Sequence, residues 1–139
     1  MKNLVQSRRM AMVFVGVLLS ISILIFSTMA FGAAEDYRFV SEQPSVKASN
    51  GAIITVRLLH VPTNKPVENA VIFRTRLDMS PGGMADMETK VTVLPASEPG
   101  KYRFQADVSH DGEWALTLNA KVPGETATVT GKVNIKAVK

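Results

Sequence analysis

The stretch KYRFQADV, Lys101 to Val108, alternates without a break: Lys101, Arg103, Gln105 and Asp107 are polar, while Tyr102, Phe104 and Val108 are apolar and Ala106 is small. A strand sends successive side chains to opposite faces, whereas a helix would scatter these eight residues around its circumference. The segment therefore predicts a β-strand with one face buried and one face wet.

The same period recurs on either side. AIITVRLLH puts Ile54, Val56 and Leu58 on one face, VIFRTRL does so with Val71, Phe73, Thr75 and Leu77, and EWALTLNA with Trp114, Leu116 and Leu118. ETKVTVL contributes Val91 and Val93, and TATVTGKVNIKAV sets Val129, Val133 and Ile135 against Thr128, Lys132 and Lys136. A short strand near Tyr37 to Val40, or at Val46, brings the count to about seven. Turn sequences separate these runs: VPTNKPVEN, MSPGGMADM, PASEPG, SHDG and VPGE. No segment after the first 34 residues sustains a 3.6-residue apolar period. The expected fold is an all-β, immunoglobulin-like antiparallel β-sandwich, with Trp114 as a core anchor.

Residues 1–34 read differently. Lys2, Arg8 and Arg9 precede the uncharged apolar run Met10 to Phe26, and STMAFGAA follows with small residues, the three-part layout of a secretory signal. The alternative is an uncleaved membrane anchor, for which the run sits at the short limit. In both cases residues 35–139 form the sandwich domain and lie outside the cytoplasm. The chain has no cysteine, which excludes a disulfide framework and a lipid-attachment cysteine. Without Lys2, Arg8 and Arg9, thirteen basic residues face twelve acidic ones. They are interleaved, with no basic run and no stacking aromatics, so nucleic acid is not an expected partner.

Methionine is distributed unevenly. Outside the leader it occurs only as Met79, Met84 and Met87, beside Pro81-Gly82-Gly83. Thioethers are soft, neutral ligands that favour Cu(I), and three on one loop can surround one ion. If successive strands run antiparallel, the loop Asp78 to Met87 and the loop Ser109 to Gly112 share one end of the sandwich, which adds the imidazole of His110 as a fourth donor. His60, VPTNKPVEN and PASEPG fall at the other end. The competing reading is packing: methionine fills irregular apolar gaps, and Met79 has the inward parity of Leu77 and Phe73.

DVSHDGEW contains the components of a nucleophilic triad in Asp107, Ser109, His110 and Asp111. Neighbours on a strand point to opposite faces and HDG reverses the chain, so a catalytic set is not expected. His60, at a strand end before Val61-Pro62, reads as a rim residue.

NKPVENAVI, the Met- and Gly-rich segment, EPGKYRF and DGEWALTL follow one another in an order that resembles the YtkA-like domain family, related to FixH-type periplasmic proteins. The resemblance covers Ala48 to Lys136, most recognisably Pro66 to Ala70, Pro99 to Tyr102 and Gly112 to Trp114. It implies an exported immunoglobulin-like sandwich, similar to domains attached to heavy-metal efflux adaptors. The function expected is a non-enzymatic carrier of Cu(I) or a similar soft ion, accessory to metal efflux or resistance, with Met79, Met84, Met87 and His110 as ligands. The alternative is a metal-free module that contacts an envelope protein complex. Contact with the membrane is expected only through an uncleaved N-terminal segment.

A cleaved leader predicts a mature protein that starts between Phe31 and Glu35. Intact mass of exported protein checks this, and a mass that retains Lys2 to Phe26 identifies an anchored protein instead.

Overall fold

The computed structural model describes residues 34–139, so the signal or anchor segment lies outside the described residues. Ten strands follow in order: β1 (Tyr37–Ser41), β2 (Ser45–Lys47), β3 (Ser49–His60), β4 (Lys65–Pro66), β5 (Val71–Met79), β6 (Met84–Thr89), β7 (Val91–Leu94), β8 (Lys101–Val108), β9 (Gly112–Lys121) and β10 (Val129–Val138). The described helical structure is one three-residue 3₁₀ turn, Ser80–Gly82.

The strands form two five-stranded sheets. The first has the order β1-β3-β8-β7, with β4 paired to β3, and the second the order β2-β10-β9-β5-β6. Inward rows of both sheets interdigitate: Ile54, Val56, Leu58 and Phe104 from the first meet Leu77, Leu116, Leu118 and Ile135 from the second, all essentially without solvent exposure. Each such side chain contributes about 1.5–3 kcal/mol on leaving water. Trp114 is buried among them, and Phe39 presses on Gly131, where any β-carbon would collide with its ring.

The architecture is thus all-β and two-layered, and it differs from the expectation in three details. Ten strands replace about seven, because two short ones, β2 and β4, fit against longer neighbours, and ETKVTVL is divided between the sheets. That run leaves β5 as β6, crosses at Lys90 and joins β8 as β7. Pairing is antiparallel throughout except β2 with β10, where Ser45–Lys47 runs alongside Lys136–Val138. Third, Val71 and Phe73 are not inward; Val71 is 61% exposed, and before the bulge it is Ile72 that lies opposite the buried Ala120. The register between β5 and β9 shifts between Ile72 and Arg74, so Phe73 is an extra residue in a bulge and is 54% exposed.

At one end of the sandwich the turns of NKPVENA and EPGKY lock together. The Tyr102 hydroxyl donates to the Val67 carbonyl at 2.7 Å and accepts from the Ala70 amide at 3.0 Å. Burial raises the pKa of this phenol, so it stays protonated and able to donate. Gly100 has φ of 76°, and a β-carbon there would lie 2.5 Å from Pro66 Cβ. Only glycine allows that backbone so close to the proline ring.

Tyr102→Phe is expected to lose about 1–3 kcal/mol, since it removes one hydrogen bond and leaves a second partner unpaired. Gly100→Ala is expected to cost at least as much through clash and positive φ. Urea unfolding measures both; an unchanged midpoint for either refutes the proposed locking of this end.

Candidate functional site

At the opposite end, β5 runs into the 3₁₀ turn through Leu77, Asp78 and Met79, all buried. Asp78 Oδ1 accepts the Ser80 amide at 2.9 Å, a short Asx-type closure that starts the turn, and Pro81 continues it. Gly83 closes it in the left-handed region with φ of 77°, its amide donating to the Ser80 carbonyl at 2.9 Å. The chain then returns as β6 with Met84 opposite Met79.

Arg76 ties both arms together. Its Nε lies 2.8 Å from Asp78 Oδ2 and 3.4 Å from Glu88 Oε2, and its guanidinium donates to the Ala85 carbonyl at 3.2 Å. The Asp78 carboxyl is held below its ordinary pKa. Ser80 is the main cause, first through its hydroxyl and then its amide; these outweigh the effect of burial, and the charges of Arg76 and Lys132 act in the same direction. The Ser80 hydroxyl oxygen is buried and makes no full hydrogen bond within the described residues.

The three thioethers occupy three depths. Met79 is 2% exposed and part of the core, Met87 is half-buried against that core, and Met84 is 45% exposed. The segment read as a loop from Asp78 to Met87 is therefore a strand end, a tight turn and a returning strand. The register shift between Asp78 and Met79 makes room for Ala85 to Met87 on the longer arm.

The β8–β9 turn sits against this unit. A β-carbon at Gly112 would come within 3.0 Å of the Met79 methyl, so the glycine backbone lies directly on that side chain. The Trp114 indole donates to the His110 carbonyl at 3.0 Å, which fixes the turn from below. His110 itself is exposed, with Nδ1 2.8 Å from Ser109 Oγ. If Nδ1 is engaged there, Nε2 is the nitrogen left for an external partner.

The other sequence candidates fall elsewhere. Asp107 Oδ1 accepts the Gly51 amide at 2.8 Å and is occupied on the β3 side. His60 lies at the far end, 2.7 Å from Thr63 Oγ1 and tilted against the Tyr37 ring at 5.2 Å between centroids. A surface cavity of about 310 Å³ also lies at that far end, lined by Glu68, Asn69, Ser97, Glu98, Lys101 and Tyr102. Among the described residues no three His, Asp or Glu side chains converge as a hard-ion site. Sequence reasoning missed the Arg76-Asp78-Ser80 clamp, although an aspartate two residues before Ser-Pro is a turn signal in its own right.

Comparison with known proteins adds family information. A family model described as YtkA-like matches residues 32–119, more than half of the chain. Among solved structures, the ZirS C-terminal domain is similar at 12% sequence identity and a TM-score of 0.42, over 76% of this chain and 67% of that one. No curated protein matches.

The clamp generates a pH prediction. A folded-state pKa below the ordinary value of 3.8 means that Asp78 stabilises the fold fully above that value, and that this contribution is lost as pH falls through the lower folded pKa. Asp78→Asn is expected to be less stable than the parent at pH 7 and to narrow that gap on acidification towards pH ~2. Urea unfolding from neutral to acid pH checks this; a gap independent of pH refutes the role of the carboxylate charge.

Proposed function

The chain belongs to the YtkA-like family, and from that premise we propose that it is an exported, non-enzymatic domain that binds or passes Cu(I), or a similar soft ion. The domain is of immunoglobulin-like type in this reading. Met84, Met87 and His110 meet the ion first, and Met79 closes the site from the core side.

One observation carries the reading: the Gly112 backbone rests on the Met79 methyl, which couples the His110 turn to the methionine turn. Every methionine outside residues 1–34 lies in this unit, and thioether with imidazole is a donor set suited to Cu(I). The donors fit an ion that arrives from solvent, since Met84 and His110 are exposed and Met87 is half-buried. Gly82 and Gly83 allow the arm carrying Met84 to close while Asp78 and Arg76 hold its base. Methionine also suits an oxidising compartment better than cysteine, which forms disulfides there. The proposed role is accessory to metal efflux or resistance, with an efflux adaptor or another envelope protein as the partner that receives or delivers the ion.

The test keeps volume and removes sulfur. Met→Leu is close to isosteric and usually costs less than about 1.5 kcal/mol in a core, so Met79, Met84 and Met87 can be changed together with the fold retained. Cu(I) affinity, measured by competition with a chromogenic chelator on folded protein, is expected to fall about tenfold or more, a loss of about 1.4 kcal/mol. His110→Ala is expected to lower it further. Unchanged affinity in the triple variant overturns the site and leaves the three methionines as packing.

A further inference from the structure

The crossing of β6 into the other sheet leaves part of β5 uncovered. β6 pairs with β5 only at Leu77, Asp78 and Met79, so among the described residues no strand pairs with Val71 to Arg76 on the side away from β9. Their outward amides and carbonyls form an open edge, a template for a further strand. Val71 is 61% exposed and Phe73 54%, the two most exposed large apolar residues described. The bulge between Ile72 and Arg74 is what turns Phe73 out of the core.

The unpaired side-chain charge that β5, β9 and β10 place beside this edge is basic. Arg74 lies opposite Asn119, Lys121 opposite Val71, and Lys132 is across Thr117 from Arg76. Among the described residues Arg74, Lys121 and Lys132 form no ion pair, whereas the nearby carboxylates Asp78 and Glu88 are both taken by Arg76. The acid at the start of the edge, Glu68, belongs to the cavity beyond it.

We propose that Val71 to Arg76 is a docking edge for an extended, acidic segment of a partner protein, which adds as a strand and seats apolar side chains on Val71 and Phe73. Main-chain hydrogen bonds supply affinity in this mode and alternate side chains supply selectivity. An acidic segment places carboxylates on Arg74 and Lys121. A second copy of this chain brings the same arginines against each other, and like charges across a strand pair are destabilising. A lipid surface offers no donors and acceptors in strand register for the open backbone. Phenylalanine and arginine are also both enriched at protein interfaces relative to the rest of the surface. The edge ends at Arg76, which clamps the base of the methionine turn, but its anchors Val71, Phe73 and Arg74 are not among the proposed copper ligands, so a copper-free test separates the inference from Cu(I) binding.

The test uses the domain without copper. The probe is a fluorescein-labelled peptide of about eight residues alternating Glu and Val, a typical strand length. One control peptide carries Lys for Glu, a second carries N-methyl groups on alternate amides, and vesicles of phosphatidylcholine with phosphatidylglycerol replace the peptide in a third arm. The Glu/Val peptide is expected to bind and to slow amide exchange at Val71 to Arg76. Affinity is expected to drop about tenfold or more in Phe73→Ser and in Arg74→Glu, the range of interface anchors, with urea midpoints close to the parent because both residues are exposed. Loss of binding with the N-methylated peptide supports strand addition. No binding, equal binding of the Lys peptide, binding to vesicles alone, protection away from β5, or self-association through this edge each overturns the proposal.

Discussion

Everything in this domain depends on a two-residue period with one face sealed. A slip of one residue in β3 would carry Ile54, Val56 and Leu58 to solvent together, and one in β9 would do the same to Trp114, Leu116 and Leu118, so each register is fixed by a whole buried row rather than by any one pair. The small size of the domain makes the constraint strict. One layer of side chains lies between two sheets, and nothing else replaces the apolar area a slip would lose.

Departures from that period are therefore informative. Three register shifts interrupt the antiparallel ladders: between Ser49 and Ala52, between Ile72 and Arg74, and between Asp78 and Met79. The first is closed internally, because the Gly51 amide finds the Asp107 carboxylate. The second turns Phe73 outward, and the third spaces Met84 and Met87 against Met79. The features with chemical potential stand where the alternation breaks, and a sandwich with unbroken ladders would present neither.

Legibility in the sequence follows the same division. KYRFQADV alternates without a break and EWALTLNA does so apart from the small Ala115, which is buried off the pattern; Tyr102, Phe104, Ala106 and Val108, and Trp114, Leu116, Leu118 and Ala120, follow from alternation. VIFRTRL also looks uninterrupted, yet Val71 and Phe73 are misassigned, because a bulge within the strand leaves no mark in a run that is apolar at Val71, Ile72 and Phe73. The depth of each methionine was similarly hidden. Met79 follows from strand parity, but the separate environments of Met84 and Met87 depend on where β6 starts, and that is set by Arg76 reaching across to Ala85 and Glu88. Cross-strand ties of this kind have no sequence period. The family resemblance, by contrast, rests on residues whose roles are now physical: Pro66, Gly100 and Tyr102 lock one end, and Gly112 seats the other.

The two ends of the sandwich are built on different principles, and the difference bears on which one can accept a ligand. At the Tyr102 end, hydrogen bonds and a glycine-proline contact join three chain segments, and any movement must break several of them at once. At the methionine end the base of the turn is fixed through Asp78, Ser80 and Arg76, and its tip closes on the Gly83 amide, with the Met84 methyl near Gly82. A soft ion needs donors that converge as it sheds water, which a fully rigid cage resists and a disordered loop achieves only at an entropic cost. In the proposed copper reading, a fixed base beside an exposed Met84 limits both penalties. Whatever occupies that end, the buried thioether of Met79 is the reference point around which Met84, Met87 and the His110 turn are arranged.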